Sequence, residues 1–272
     1  MLQGHTYNAQ YRSEVSKYTK KDAIVALCFY AFYVAQSVAL GIYRRFFVQT
    51  LTVSILSGMF VIGVCLAIVF IRKDGLASLG IRYKNLWPSL RLGLLFGVVP
   101  ITLYNFALHL IFDWEFRPIG TILLLSLNIL MFAASEDILF VGYIQTRIYG
   151  LIKKDIWAIC FVALLFTLIH YPIQIVQHGA NVLEAIGGLS GGLIWFVSLF
   201  IAHLVFNAVF RRYVVLAPTI MLHTINNINS NGSIWATQPP FWVVIIYFFF
   251  IASALIIWTF WLRRRDRKSN AV

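Results

Sequence analysis

Long apolar runs separated by short polar connections dominate the chain. Counting about 20 predominantly apolar residues for each crossing of a hydrocarbon core, the pattern predicts eight helical spans. They lie near 23–43, 47–71, 92–112, 120–145, 156–172, 187–210, 213–230 and 241–262. Arg44-Arg45 nearly fuses the first two, and Arg211-Arg212 the sixth and seventh. The stretch from Leu76 to Lys84, ending at Trp87-Pro88, mixes apolar and basic residues and reads as an interfacial segment. Gly187-Gly188 and Gly191-Gly192 supply small residues at spacing four, which suits close helix packing in lipid. With no internal repeat and no low-complexity linker, residues 1–272 read as one all-α, polytopic membrane domain.

The placement of charge orients this bundle. If connections alternate between the two sides, all but three of the 22 Lys and Arg fall on the side of the N-terminus, the exceptions being Arg44, Arg45 and Arg117. Cytoplasmic loops hold the excess of Lys and Arg, so an even number of spans in the cell membrane, with both termini cytoplasmic, is expected. Arg263–Lys268 then sits as a stop-transfer anchor beside lipid head groups. The polar segment Met1–Asp22 lacks the small-residue cleavage site of a signal peptide, so the first span is expected to remain as an anchor.

Composition narrows the class further. Hydrophobic residues make up 60% and charged residues 12%, with a mean hydropathy of +0.81, against roughly 25% charged in ordinary soluble domains. A soluble globule and a disordered chain are excluded, and the bilayer is the first partner. The formal charge of +12 is spread between apolar runs and forms no basic face for nucleic acid. Cys28, Cys65 and Cys160 are an odd, widely spaced set inside apolar runs, which suggests neither disulfides nor a zinc cage.

Ionisable groups at bilayer depth cost at least about 2.5–3.5 kcal/mol each and are functional candidates by default. Five stand out: Glu136 and Asp137 in the fourth span, His170 in the fifth, His203 in the sixth and His223 in the seventh, with Asn207, Asn226 and Asn227 as polar companions. Measured from the nearest basic residue at about 1.5 Å per position, Glu136, His203 and His223 lie roughly 12–17 Å deep, and His170 and Asn227 roughly 23–24 Å. An acid, histidines and an amide at similar depth on separate helices are the material of general acid–base chemistry, and also of a proton relay. An isolated transmembrane histidine more often joins helices by a hydrogen bond, which is the plainer reading of His203; His109 reads as interfacial. Glu136 and Asp137 resist that reading, because adjacent helix positions point about 100° apart and cannot both snorkel to water. By the same geometry, only one of them is expected to face any single cavity squarely.

Peptide hydrolysis in a membrane needs an activated nucleophile, a proton shuttle and donors for an oxyanion. No His-Glu-x-x-His string is present for a zinc site, and Asp137 is the one aspartate well inside a span, where an aspartyl site needs two. Gly188-Leu189-Ser190-Gly191 and His203-Leu-Val-Phe-Asn207 fit rhomboid-like serine motifs, but in the reverse order. A glutamate that activates water is the remaining route.

Three motifs then carry a resemblance. Glu136-Asp137-Ile138-Leu139-Phe140-Val141-Gly142, Phe166-Thr167-Leu168-Ile169-His170 and His223-Thr224-Ile225-Asn226-Asn227 follow in order on successive apolar runs. Together they resemble the E-E-x-x-x-R-G, F-x-x-x-H and H-x-x-x-N motifs of the CPBP family, which holds type II CAAX prenyl endopeptidases and bacteriocin-processing or immunity proteins. The resemblance covers residues 130–230, with Leu79-Gly80-Ile81 similar to the region upstream of that core. It implies that Glu136 activates water, that His170 orients or deprotonates it, and that His223 and Asn227 polarise the carbonyl and hold the oxyanion. Asp137, Asn226 and Phe166 support, and neither metal nor cofactor is required. A carboxylate desolvated in a bundle is a stronger base. Two positions depart from the motif: Asp137 stands for the second Glu and Val141 for the Arg. Val141 removes a cation expected to pair with the carboxylates, and Arg147 lies too far round and along the helix to replace it.

The expected function is therefore a multi-pass, metal-independent glutamate endopeptidase acting on prenylated or other small hydrophobic peptides at the membrane. Val141 motivates an alternative, a catalytically weakened relative acting in immunity or regulation by binding a membrane partner. A proton-coupled transporter is a third reading, which no inverted repeat supports.

Overall fold

The computed structural model describes residues 4–47, 51–83, 86–94, 98–112, 115, 117–181, 188–230 and 253. Every regular element among them is helical. The main helices are α1 (Gly4–Ser16), α2 (Lys20–Phe46), α3 (Leu51–Ile71), α4 (Leu86–Gly93), α5 (Val99–Phe112), α6 (Ile119–Asp137), α7 (Asp155–His178), α8 (Gly188–Tyr213) and α9 (Ala217–Ser230). Past Asp137, α6 continues without a break through a π-helical stretch, Ile138–Ile144, to Arg147 and a 3₁₀ turn ending at Gly150. Large apolar side chains such as Phe70, Leu103, Leu123 and Leu193 are exposed around the bundle, which is the surface lipid solvates.

Among the described residues, five helices are long and apolar enough to cross a membrane: Lys20–Phe46, Thr52–Ile71, Ile119–Gly150, Asp155–His178 and Gly192–Tyr213. Five of the eight spans expected from apolar length thus coincide with such a helix. The predicted third span, 92–112, falls on the end of α4 and on α5, and residues 95–97 between them lie outside the described residues. Of the predicted seventh span, 213–230, the structure places Ala217–Ser230 in α9. The predicted eighth span and the tail Arg263–Lys268 lie outside the described residues.

The first turn of α2 carries a capping box, in which the Thr19 backbone N–H donates to Asp22 at 2.7 Å. Asp22 also pairs with Arg72, Arg82 with Glu14 (2.9 Å), Arg147 with Asp74 (2.8 Å), and Arg211 with Asp155. These pairs tie together the starts of α2 and α7 and the ends of α3, α6 and α8, so the basic connections that alternation grouped together do share one end of the bundle. Arg147 departs from the expectation of a loop residue: it is 1% exposed and belongs to the helical continuation of α6. In the segment read as interfacial, Ser78 and Leu79 are buried, while Leu76, Ile81, Tyr83 and Trp87 are exposed. Among the described residues nothing lies within 4 Å of a Cβ added at Gly188, and Gly187 is outside the described residues.

Helix α6 and its continuation form the centre. Helices α3 and α9 flank α6, the π-helical stretch meets α2, α3, α7 and α8, and α7 lies between α2 and α8. Phe140, in that stretch, packs edge-on against Tyr33 of α2 and Phe166 of α7. Gly142 permits a close approach, because a Cβ there would lie 2.8 Å from the Leu79 carbonyl oxygen. Gly80 turns in the left-handed region (φ 77°), and its carbonyl accepts a hydrogen bond from the Leu216 backbone N–H at 3.1 Å. The Leu79-Gly80 turn thus joins the helix bearing Glu136 and Asp137 to the connection that launches α9, which bears His223.

Candidate active site

The two acids end α6 where its winding widens into the π-helical stretch, a distortion that often marks functional sites. Both are buried, Glu136 at 4% and Asp137 at 0% exposure. His223, on the first turns of α9 and equally buried, lies between them. Its Nδ1 donates to Asp137 Oδ1 at 3.0 Å, and its Nε2 lies 3.5 Å from Glu136 Oε2. The sequence geometry allowed only one acid to face a common cavity; the structure brings both to one group, because the two nitrogens of an imidazole point to different sides of the ring. The second oxygen of Glu136 accepts a hydrogen bond from the Tyr33 hydroxyl at 3.3 Å.

Phe166 connects the histidines. Its ring lies 4.8 Å from that of His170, 3.9 Å from that of His203 and 5.7 Å from that of His223, centroid to centroid. His170, one turn further along α7, places Nδ1 2.8 Å from the Phe166 carbonyl oxygen. A carbonyl only accepts, so Nδ1 carries the proton and the neutral ring presents Nε2 as an acceptor. Asn227 lies one turn beyond His223 on the same face of α9, and both it and Asn226 are half-buried. The structure therefore gathers Glu136, Asp137, Phe166, His170 and His223 at one level, with the asparagines at its rim.

Val141 is fully buried in apolar surroundings, so the position that departs from the motif is a packing site here. Arg147 does not reach the acids. It donates to Asp74 and Ser78 and lies over the rings of Tyr18 (4.6 Å) and Tyr143 (4.3 Å). Burial pushes the Tyr18 hydroxyl well above its ordinary range, so Arg147 meets a neutral aromatic face there. The cation absent at 141 has a partial counterpart in His223, which contacts both carboxylates.

Tyr33 was missed by sequence reasoning. The available signal was a phenol in the middle of an apolar run, since a buried tyrosine hydroxyl ordinarily has a partner. The serine route fails on distance: Ser190 and His203 stand on one continuous helix, thirteen positions or about 20 Å apart. Among the described residues no group of three or more His, Cys, Asp or Glu is arranged to hold a metal ion.

No curated protein and no solved structure matches the chain. A family model does, that of the Rce1-like family, described as type II CAAX prenyl endopeptidase Rce1-like, over residues 118–229. This interval begins at the start of α6, ends within α9, and contains Glu136, Asp137, His170, His203 and His223, while Tyr33 of α2 lies outside it. Over residues 118–229, less than half of the chain, the sequence is thus similar to the Rce1-like type II CAAX prenyl endopeptidases.

Proposed function

We propose that the chain is an intramembrane endopeptidase that cleaves prenylated or other small hydrophobic peptides with a water molecule activated by Glu136. The observation that carries this reading is a pair of buried carboxylates sharing one imidazole, His223, in the core of a membrane bundle. Glu136 takes a proton from water as it attacks the scissile carbonyl, and returns that proton to the leaving amine. Tyr33, donating to Oε1, orients the carboxylate so that Oε2 is the working oxygen. His170, with Nδ1–H held by the Phe166 carbonyl, offers Nε2 to the same water. His223, anchored through Nδ1 by Asp137, donates from Nε2 when doubly protonated and, with the amide of Asn227, stabilises the developing oxyanion.

No step in this scheme draws on a metal. The purified protein in lipid nanodiscs is expected to cleave a farnesylated peptide ending in an aliphatic tripeptide, equally well with and without chelator. Loss of cleavage in chelator, restored by added zinc, would overturn metal independence.

A further inference from the structure

His203 is the one intramembrane histidine that the proposed chemistry leaves without a task. It is wholly buried on α8, stacked on Phe166 at 3.9 Å with 29° between planes, and edged by Phe140 and Phe206. Phe206 also packs against His223, at 5.0 Å, so His203 and His223 share two aromatic neighbours. As helix glue, His203 should hydrogen-bond to another helix. Its hydrogen bond instead runs along its own helix, with Nδ1 3.0 Å from the Asn207 amide nitrogen, and the amide reaches across to the Ile159 carbonyl on α7 at 3.4 Å.

Those two contacts fix the tautomer. Ile159 O can only accept, so the amide presents its NH₂ group, and an NH₂ facing Nδ1 can only donate. His203 Nδ1 is therefore the lone pair, and Nε2 carries the hydrogen. That Nε2–H has no hydrogen-bond partner among the described residues, although the side chain is 0% exposed. A buried donor without an acceptor is destabilising, and native proteins ordinarily retain one for a reason. The two histidines beside Phe166 are thus set in opposite senses, His170 with an accepting Nε2 and His203 with a donating one.

We propose that His203 is a further substrate-contacting residue, whose Nε2–H donates to a carbonyl oxygen of the peptide bound beside Phe166 and Phe206. This rests on the endopeptidase reading above for the nature of the ligand. Asn207 is then a positioning residue, acting by holding the His203 tautomer.

The test uses His203→Phe, which keeps an aromatic ring to stack on Phe166 and removes the donor. The variant loses the unpaired N–H of His203 but leaves one N–H of Asn207 without its acceptor, so it is expected to melt near the wild-type temperature, while kcat/KM for the farnesylated peptide falls about tenfold or more. His203→Gln, which retains an N–H, should recover part of that loss. Wild-type cleavage by His203→Phe would overturn the proposal. So would an activity loss accompanied by a lowered melting temperature in both variants, which marks a packing role. Binding separates this from the function reading: affinity for the same peptide is measured in the Glu136→Gln background with and without His203→Phe. If the wild type cleaves nothing yet binding weakens with His203→Phe, the donor stands and the endopeptidase reading falls. If neither cleavage nor binding depends on His203, the proposal falls.

Discussion

At the scale of single residues, the acids are held in a fixed relation by one imidazole and one phenol. Tyr33→Phe removes the hydroxyl that orients Glu136 and leaves the ring packed on Phe140. A hydrogen bond to a charged group is worth about 1.5–3 kcal/mol, and at 3.3 Å the lower end applies, so kcat is expected to fall about tenfold with the melting temperature little changed. Asp137→Ala leaves His223 Nδ1 without its acceptor and frees the ring to turn away from Glu136. Its loss in kcat should exceed that of Tyr33→Phe and approach about 10²-fold, as for removal of one oxyanion donor. Steady-state kinetics on both variants checks the order, and a milder effect at Asp137 would contradict the bridging role given to His223.

At the scale of elements, the π-helical stretch and the Leu79-Gly80 turn set the relation between acids and histidine. Gly142→Val would force a side chain into the Leu79 carbonyl, and Gly80→Ala would place a Cβ 2.4 Å from the Phe210 ring at a backbone conformation L-residues avoid. Each is expected to cost about 1–3 kcal/mol in stability and to lower kcat at substrate saturation, because α6 and α9 shift against each other. A thermal melt in detergent beside a saturation curve distinguishes this from simple unfolding. Much of this level was legible in the sequence. Apolar runs located α2, α3, α6, α7 and α8, and spaced polar residues picked out Glu136, His170 and His223. The burial of Arg147 was not, because hydropathy averages over a window and assigns a basic residue after an apolar run to a loop. The second-acid geometry was hidden for a different reason: it depends on which nitrogen of a distant imidazole meets which carboxylate, and on a π-helical distortion that residue spacing does not report.

At the scale of the whole molecule, the ion pairs named above gather at one end of the bundle, and the carboxylates and histidines of the candidate site lie deeper. Arg147 is the keystone of that end, fully buried on Asp74, Ser78 and two tyrosine rings and tied to the turn that seats Gly142. Removing one partner of a buried pair typically costs 3–5 kcal/mol. Asp74 retains some contact with water, so Arg147→Met is expected to destabilise by about 3 kcal/mol, read from denaturant or thermal unfolding in lipid. An effect below about 1 kcal/mol would show that the pair is dispensable. The excess of basic residues at this end is what the positive-inside rule reads as cytoplasmic. Single cysteines at Lys73 and Lys153 should accordingly both label from the cytoplasmic side, in a background with the native cysteines replaced.

The central claim is that Glu136 activates water for peptide cleavage. Its most direct test is cleavage of the farnesylated peptide by purified protein and by its Glu136→Gln counterpart, side by side in nanodiscs with chelator present. The account predicts turnover by the wild type and none above background by the variant, at equal folded protein and with peptide binding retained. Undiminished turnover by Glu136→Gln would contradict it.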